Sequence, residues 1–261
     1  NGAVMTQDST PSAPVRRAPD DACPEPDAGR LEMAPSTPIA TRHFDFSTLT
    51  GAERYRLLSS TIMPRPIAWV VTRSPDGVVN AAPYSFFNLF GADRPVVALG
   101  ILAREGGSKD TLVNIRATGE FVVNLVPFSL VEAMNVTCVD APPDVDEIAL
   151  AGLATVPSLE IGPPRIALSP VAFECRLMHL LETGPGQMLA VGEILHAHYD
   201  VRALVGDPDR PRVDPAALDL VGRMHGASTY LRTRDLFDLP RPVWHAEEDL
   251  YAPSVQRERS K

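Results

Sequence analysis

Residues 67–82 decide the fold, and they read I-A-W-V-V-T-R-S-P-D-G-V-V-N-A-A. Residues 67–72 are mostly apolar and β-branched, which favours an extended strand. Residues 74–77, S-P-D-G, form a turn signal because proline and glycine supply the backbone angles that a tight turn needs. A second apolar run follows at residues 78–82. The stretch therefore predicts a β-hairpin.

The rest of the chain contains more strand signals than helix signals. Strands are predicted at residues 96–102, 120–126, 169–182 and 188–201, the last two joined by a turn signal at 183–187. Short helices are predicted from Ser108 as the N-cap and over residues 129–136. Because strands and helices do not alternate, we expect a mainly β, antiparallel barrel rather than a parallel doubly wound sheet. The chain also has no Rossmann or P-loop glycine motif.

Composition excludes several function classes. The chain has 261 residues and a formal net charge of −9, with 33 acidic against 24 basic residues. This acidic balance opposes non-specific binding to nucleic acid or to anionic lipid. No apolar run approaches the roughly 18 to 20 residues that span a bilayer. We therefore predict a cytoplasmic protein that binds neither nucleic acid nor membrane.

The domain organisation follows from where apolar residues are dense. Residues 1–42 contain seven prolines and no aromatic residue, which is typical of a tail without a core of its own. Residues 1–4, before Met5, are interpreted as the remnant of an expression tag. Residues 43–244 are predicted to form one domain, and residues 245–261 a polar C-terminal tail.

The cysteine and histidine residues predict no metal site. Cys23, Cys138 and Cys175 are far apart and form no C-x-x-C motif, so we interpret them as free thiols. His196 and His198 alternate along one strand and would share one face of the sheet. No third ligand is suggested, and a polar sheet face explains the pair.

Arg65 is the first residue that is a candidate for binding chemistry, because it stands between Pro64 and Pro66 directly before the first strand. The following proline biases Arg65 to extended geometry, so its guanidinium is presented stiffly. A guanidinium can grip a phosphate or carboxylate with two parallel hydrogen bonds. The alternative is a surface arginine in a tight turn.

Two further segments have binding chemistry. Residues 80–88, N-A-A-P-Y-S-F-F-N, can lay backbone groups along the edge of a flat heteroaromatic ring, while Ser85 or Asn88 supplies polar contacts. The alternative is a strand end with ordinary core aromatics. Residues 108–111, S-K-D-T, open a helix, whose unpaired N–H groups favour an anion. The alternative is an ordinary cap in which Asp110 stabilises the helix start.

Taken in order, these segments resemble the flavin reductase-like family of FMN-binding split barrels, which includes flavoredoxin-like proteins. The resemblance rests on P-R-P-I-A-W-V at 64–70, N-A-A-P-Y-S-F-F-N at 80–88, K-D-T-L-V-N-I at 109–115, E-F-V-V-N-L at 120–125 and G-R-M-H-G-A-S-T-Y at 222–230. It implies a homodimer of six-stranded antiparallel Greek-key split barrels with a few short helices. It also implies one FMN per subunit near the dimer interface.

The resemblance implies roles for individual residues. Arg65, Pro66 and Ile67 are expected beside the flavin, and Tyr84, Ser85, Phe86, Phe87 and Asn88 along its ring. Ser108, Lys109, Asp110 and Thr111 are expected near the phosphate, while His225 and Tyr230 approach the ring face from the same or the neighbouring subunit. Ser85 and His225 are the candidate catalytic residues, for tuning the flavin and orienting the substrate.

The function that this implies is an NAD(P)H:flavin oxidoreductase. NADH or NADPH would deliver hydride to bound FMN, which passes electrons to free flavin or another acceptor. A monooxygenase or electron-transfer protein is the expected partner. One alternative is a non-enzymatic, flavoredoxin-like FMN electron carrier, and another is a family member recruited to a different flavin reaction.

Overall fold

The computed structural model describes residues 38–104 and 107–239. The chain divides into two compact units, Asn1–Asp45 and Phe46–Lys261. In the first unit, residues 38–45 contain no helix or strand. The predicted tails fall outside the described residues, except for residues 38–42, and so does Cys23.

The described residues of the second unit form thirteen strands and five α-helices. The strands are β1 (Ala68–Arg73), β2 (Val79–Tyr84), β3 (Phe87–Phe90), β4 (Val96–Leu102), β5 (Glu120–Leu125), β6 (Thr155–Val156), β7 (Arg165–Ile166), β8 (Val171–Gly184), β9 (Gln187–Tyr199), β10 (Leu204–Asp207), β11 (Arg210–Val213), β12 (Val221–Arg223) and β13 (Tyr230–Arg232). The helices are α1 (Gly51–Ser59), α2 (Asp110–Thr118), α3 (Val131–Val136), α4 (Glu147–Leu150) and α5 (Pro215–Leu218). No helix in this part of the chain is long and apolar enough to cross a membrane.

Seven strands form one antiparallel sheet in the order β2-β1-β5-β8-β9-β4-β3. Its two edge strands, β2 and β3, are separated in the chain by only Ser85 and Phe86. A link of that length spans at most about 11 Å, so the sheet must curve until its edges meet. The predicted mainly β, antiparallel fold with few helices is therefore confirmed, and so is the predicted hairpin of β1 and β2.

The resemblance predicted six strands, and the sheet has seven. The seventh strand is β3, which begins inside residues 80–88, the segment predicted to lie along a ring edge or to be a strand end. The chain leaves β1 as its partner at Tyr84 and takes up β4 at Phe87, which is opposite Leu99. Between these positions, the N–H of Gly100 donates to the carbonyl of Phe86 at 2.7 Å. The strand is thus broken at residues 85–86, and the break faces the cavities described below.

Strand β1 is apolar throughout because both of its faces are buried. Val70 points into the barrel interior, where it packs in one cluster with Leu99 and Phe121. Trp69 points to the opposite side and joins a second cluster with Met134 of α3. The Trp69 Nε1–H also donates to Thr137 Oγ1 at 2.9 Å, which fixes the end of α3 against the sheet. A strand between two cores reads as a continuous apolar run, as residues 67–72 do.

Two helices differ from the sequence prediction. Helix α1 was not predicted, although Thr50 and Glu53 form a reciprocal capping box at its start. Helix α2 begins at Asp110 with Lys109 as its N-cap residue, and no side chain caps it, so the predicted Ser108 cap is wrong. The helix predicted over residues 129–136 is confirmed as a 3₁₀ turn, Phe128–Leu130, that continues into α3.

We expect Gly192→Ala to lower the free energy of unfolding by about 1–3 kcal/mol, because a Cβ there overpacks the core. That Cβ would lie 2.5 Å from Cζ of Phe121, whose side chain is fully buried. Urea denaturation measures the effect. Gly51→Ala is the control, since its Cβ would meet nothing within 4 Å. Equal losses in the two variants would contradict the prediction.

Candidate functional site

Three adjoining cavities share Ser85, the first residue of the break between β2 and β3. The lysine cavity is lined by Tyr55, Tyr84, Ser85, Phe86 and Lys109, among others. The arginine cavity is lined by Ile67, Tyr84, Ser85, Cys138, Arg223 and Tyr230, among others. The apolar cavity is lined by Leu58, Ile62, Pro66, Ser85, Phe87 and Asn88, among others. Most residues predicted to contact a flavin therefore lie around one point of the fold.

Ser85 is central to the site and is held by Arg65. The Arg65 Nε–H donates to Ser85 Oγ at 3.3 Å. Because this oxygen accepts from arginine, the hydroxyl proton of Ser85 remains able to donate to another acceptor. A loop residue with a directed proton, at the meeting point of three cavities, is suited to bind a polar atom of a ligand.

Most hydrogen-bond donors of the Arg65 guanidinium are already used by the protein. Its Nη1 donates to the carbonyls of Ser59 and Ile62, and its Nη2 to the carbonyl of Met224 at 2.9 Å. With the Ser85 contact, four of its five N–H groups bind the protein, and the residue is only 5% exposed. Arg65 lines the apolar cavity, but in this arrangement its guanidinium has no pair of free donors for a two-pronged phosphate grip. The guanidinium instead ties the end of α1 to the β12–β13 hairpin.

Lys109 is the cation of the lysine cavity. It is the only lysine among the described residues, and its ammonium forms no ion pair with any of them. Its Nζ lies 5.9 Å from the centre of the Tyr84 ring. As the N-cap residue of α2, it stands at the positive end of the helix dipole. The combination favours an anion in this cavity.

The other residues of the predicted phosphate segment point elsewhere. Asp110 pairs with Arg104 at 3.4 Å. Thr111 is 1% exposed and its Oγ1–H donates to Asn80 Oδ1 at 2.8 Å. Ser108 is exposed, and the three cavities do not include it among their lining residues. Of these four residues, only Lys109 lines a cavity, while Thr111 points inward to Asn80.

A buried polar network supports β2 just before the site. Asn80 Nδ2–H donates to Glu147 Oε1 at 3.0 Å, and the N–H of Ala81 donates to Glu147 Oε2 at 3.1 Å. Burial raises the pKa of Glu147 above its usual range. The network holds α4 and α2 against β2, which fixes the position of Tyr84. Sequence reasoning missed Glu147 entirely.

Tyr84 forms the wall between the lysine and arginine cavities. It is 7% exposed, and its buried Oη lies beside the side chain of Thr111. Burial raises the pKa of Tyr84, so the phenol stays neutral and keeps its proton.

The β12–β13 hairpin supplies the far wall. Asp219 anchors it by accepting from Arg232 Nε at 2.6 Å and from Arg234 Nε at 3.0 Å. The hydrogen bond from Arg232 lowers the pKa of Asp219 to about 2, so this tie stays charged in mildly acidic solution. The hairpin places Tyr230 in the wall of the arginine cavity.

His225 is not brought into these cavities. It is exposed in the turn of the hairpin, where the N–H of Met224 donates to the carbonyl of Thr229. His225 therefore lines none of these cavities within its own subunit, and its approach from the neighbouring subunit stays a prediction. The residue from this motif that faces the cavity is Arg223, whose side chain leaves the strand before the turn begins.

The sulfur and histidine groups offer no catalytic or metal chemistry here. Cys138 and Cys175 are free, as predicted. Burial raises the pKa of the Cys138 thiol, while the charges of Arg223 and Lys109 oppose that rise. His198 and His196 contact Glu174 and Glu160 respectively. No group of three metal-binding side chains occurs among the described residues.

Comparisons with known proteins agree with this geometry. The model of the flavin reductase like domain matches residues 59–207. A protein of Deinococcus radiodurans is 40% identical over 219 residues, covering 79% of this chain and 96% of that protein. Nitrilotriacetate monooxygenase component B from Bacillus cereus is 30% identical with a TM-score of 0.72, covering 77% of this chain and all of that one. The Pseudomonas fluorescens 2-nitrobenzoate 2-nitroreductase NbaA is 32% identical with a TM-score of 0.71, covering 78% and 98%.

Proposed function

Because this chain belongs to the flavin reductase-like family, we propose that it binds FMN and is an NAD(P)H-dependent flavin oxidoreductase. The observation that carries the proposal is the meeting of three cavities at Ser85, with Tyr84 and Lys109 beside it. Hydride and a proton would pass from reduced nicotinamide and solvent to a free flavin or another small acceptor.

The residues present fit FMN. Lys109 at the start of α2 would hold the phosphate, since its charge is not neutralised by the described residues. The polar atoms of Tyr84 and Ser85 would meet the edge of the flavin ring, and the side chain of Phe86 would pack beside it. Pro66 and Phe87, which line the apolar cavity, would lie on the remaining side.

Bound FMN would supply the two-electron chemistry, and the protein would supply position and electrostatics. Ser85 would donate its hydroxyl proton to the ring edge, because its oxygen already accepts from Arg65. Tyr55 and Phe86, whose ring centres are 5.9 Å apart, would restrict water at the lysine cavity. No general base is needed for hydride transfer between nicotinamide and flavin.

We also propose that the protein is a homodimer and that reduced flavin leaves it for a partner monooxygenase. The similarity to a monooxygenase component B supports the second part. The likeness to a nitroreductase supports direct reduction of a small acceptor instead. Sedimentation equilibrium tests the dimer. Aerobic turnover, measured with and without added free FMN, shows whether free flavin or another small molecule is the acceptor.

The decisive experiment starts from purified protein reconstituted with FMN. We expect chromatography of the denatured protein to release FMN. We expect anaerobic mixing with NADH or NADPH to bleach the flavin absorbance. Binding of FAD alone, or of no flavin, would overturn the FMN assignment. Bound FMN that neither nicotinamide bleaches would make the protein an electron carrier rather than a reductase.

A further inference from the structure

Arg223 carries a positive charge that the proposed flavin site does not use. Its Nη2 donates to the carbonyls of Gly226 and Ala227 at 2.8 and 2.7 Å. Its guanidinium carbon lies 4.7 Å from the centre of the Tyr230 ring. These contacts fix the side chain in the wall of the arginine cavity. Its Nη1 is buried and has no hydrogen-bond partner among the described residues.

No carboxylate of the described residues lies within ion-pair distance of Arg223, although the chain is acidic. Arg232 on the same hairpin shows the contrast, because Asp219 neutralises it. A fixed guanidinium that lines a cavity and has no counter-charge attracts an anion into that cavity. Its neutral hydrogen-bond partners hold the geometry without cancelling the charge.

The arginine cavity is distinct from the place proposed for the flavin phosphate. Lys109 lines only the lysine cavity and Arg223 only the arginine cavity, and Tyr84 and Ser85 belong to both walls. Each cavity therefore has one cation of its own. A single positive charge matches a carboxylate better than a phosphate dianion, which needs more donors.

The other lining residues of the arginine cavity indicate the chemical character of the ligand apart from its charged group. Ile67 and Met134 are apolar and Tyr230 is aromatic, whereas Asn135 offers one amide. Such a lining favours a small apolar or aromatic body with few polar groups. Together with the charge of Arg223, it selects a small organic acid.

We propose that Arg223 binds the carboxylate of a second substrate, a small aromatic acid that occupies the arginine cavity. The role of this acid as the electron acceptor rests on the proposed flavin function. The recognition of the carboxylate rests only on the arginine cavity. Arg223 is thus a specificity-determining residue that separates acids from their neutral analogues.

The test uses benzoate as the probe and benzamide as its neutral counterpart. Binding is measured by ligand-observed NMR titration of the FMN-reconstituted protein. We expect benzoate to bind more tightly than benzamide, and Arg223→Gln to weaken benzoate by about tenfold or more, as for a lost charged hydrogen bond. Arg223→Lys should retain part of the preference for benzoate. Arg210→Gln, at an exposed arginine of β11, is the matched control and should change nothing.

The outcomes separate this inference from the proposed function. Equal binding of benzoate and benzamide, or a benzoate affinity unchanged by Arg223→Gln, overturns the carboxylate site even if FMN binds. Loss of both ligands in the Gln and Lys variants alike shows a structural role only and also overturns it. If Arg223→Gln weakens FMN but not riboflavin, the guanidinium reads the flavin phosphate instead. If FMN never binds while benzoate binding follows the charge, the flavin proposal fails and the acid site stands.

Discussion

Lys109→Ala is expected to weaken FMN binding by about 10- to 150-fold, which corresponds to about 1.5–3 kcal/mol for a lost charged hydrogen bond. The ammonium stands at the start of α2 and forms no ion pair with the described residues. A phosphate held there therefore depends on this one side-chain cation. Riboflavin has no phosphate and should lose much less affinity. Fluorescence titration of both flavins measures the difference.

The control for this prediction is Arg116→Ala, which removes an exposed cation from the last turn of the same helix. Its loss should leave both affinities unchanged, because it lies at the opposite end of α2. The phosphate assignment would be wrong if Lys109→Ala reduced the affinities for FMN and riboflavin equally. In that case Lys109 would act through its contact with the Tyr84 ring.

The sequence predicted the elements whose signals are local. The β1–β2 hairpin could be predicted because a run buried on both faces meets a strong turn signal. The hairpin of β8 and β9 could be predicted for the same reason. Helix α1 had a local signal too, the T-x-x-E pattern of Thr50 and Glu53, and attention to it would have found the helix that brings Tyr55 to the lysine cavity.

Side-chain direction at the site could not be predicted in the same way. Successive side chains of a helix point about 100° apart, and the sequence alone does not say which of Lys109, Asp110 and Thr111 faces the cavity. In the structure Thr111 points into the buried network with Asn80, while Lys109 lines the lysine cavity. The same limit separates Arg223 from His225, since the position of the hairpin turn decides which of them faces the cavity.

The role of Arg65 depended on partners that are distant in the chain. Its flanking prolines are visible in the sequence, but one carbonyl that it binds belongs to Met224, 159 positions away. No local sequence pattern predicts a hydrogen-bond acceptor so distant in the chain. A phosphate grip and a structural tie require the same stiffly held guanidinium, so the surrounding carbonyls decide between them.

Arg65→Ala is therefore expected to lower the free energy of unfolding by about 3 kcal/mol or more, because several acceptors lose a charged donor at once. The carbonyls of Ser59, Ile62 and Met224 would all lose their partner, in a place where water replaces it poorly. Urea denaturation measures the loss. Arg54→Ala, at an exposed arginine of α1, is the control and should stay within about 0.5 kcal/mol of the parent.

The flavin affinities of Arg65→Ala then distinguish a structural tie from a phosphate ligand. Ser85 loses the hydrogen bond that positions its hydroxyl, so FMN and riboflavin should weaken by the same factor. Arg65→Lys should restore only part of the stability, because an ammonium cannot reach the same four acceptors with the planar geometry of a guanidinium. A variant of normal stability that loses FMN and keeps riboflavin would show that the guanidinium contacts the phosphate after all.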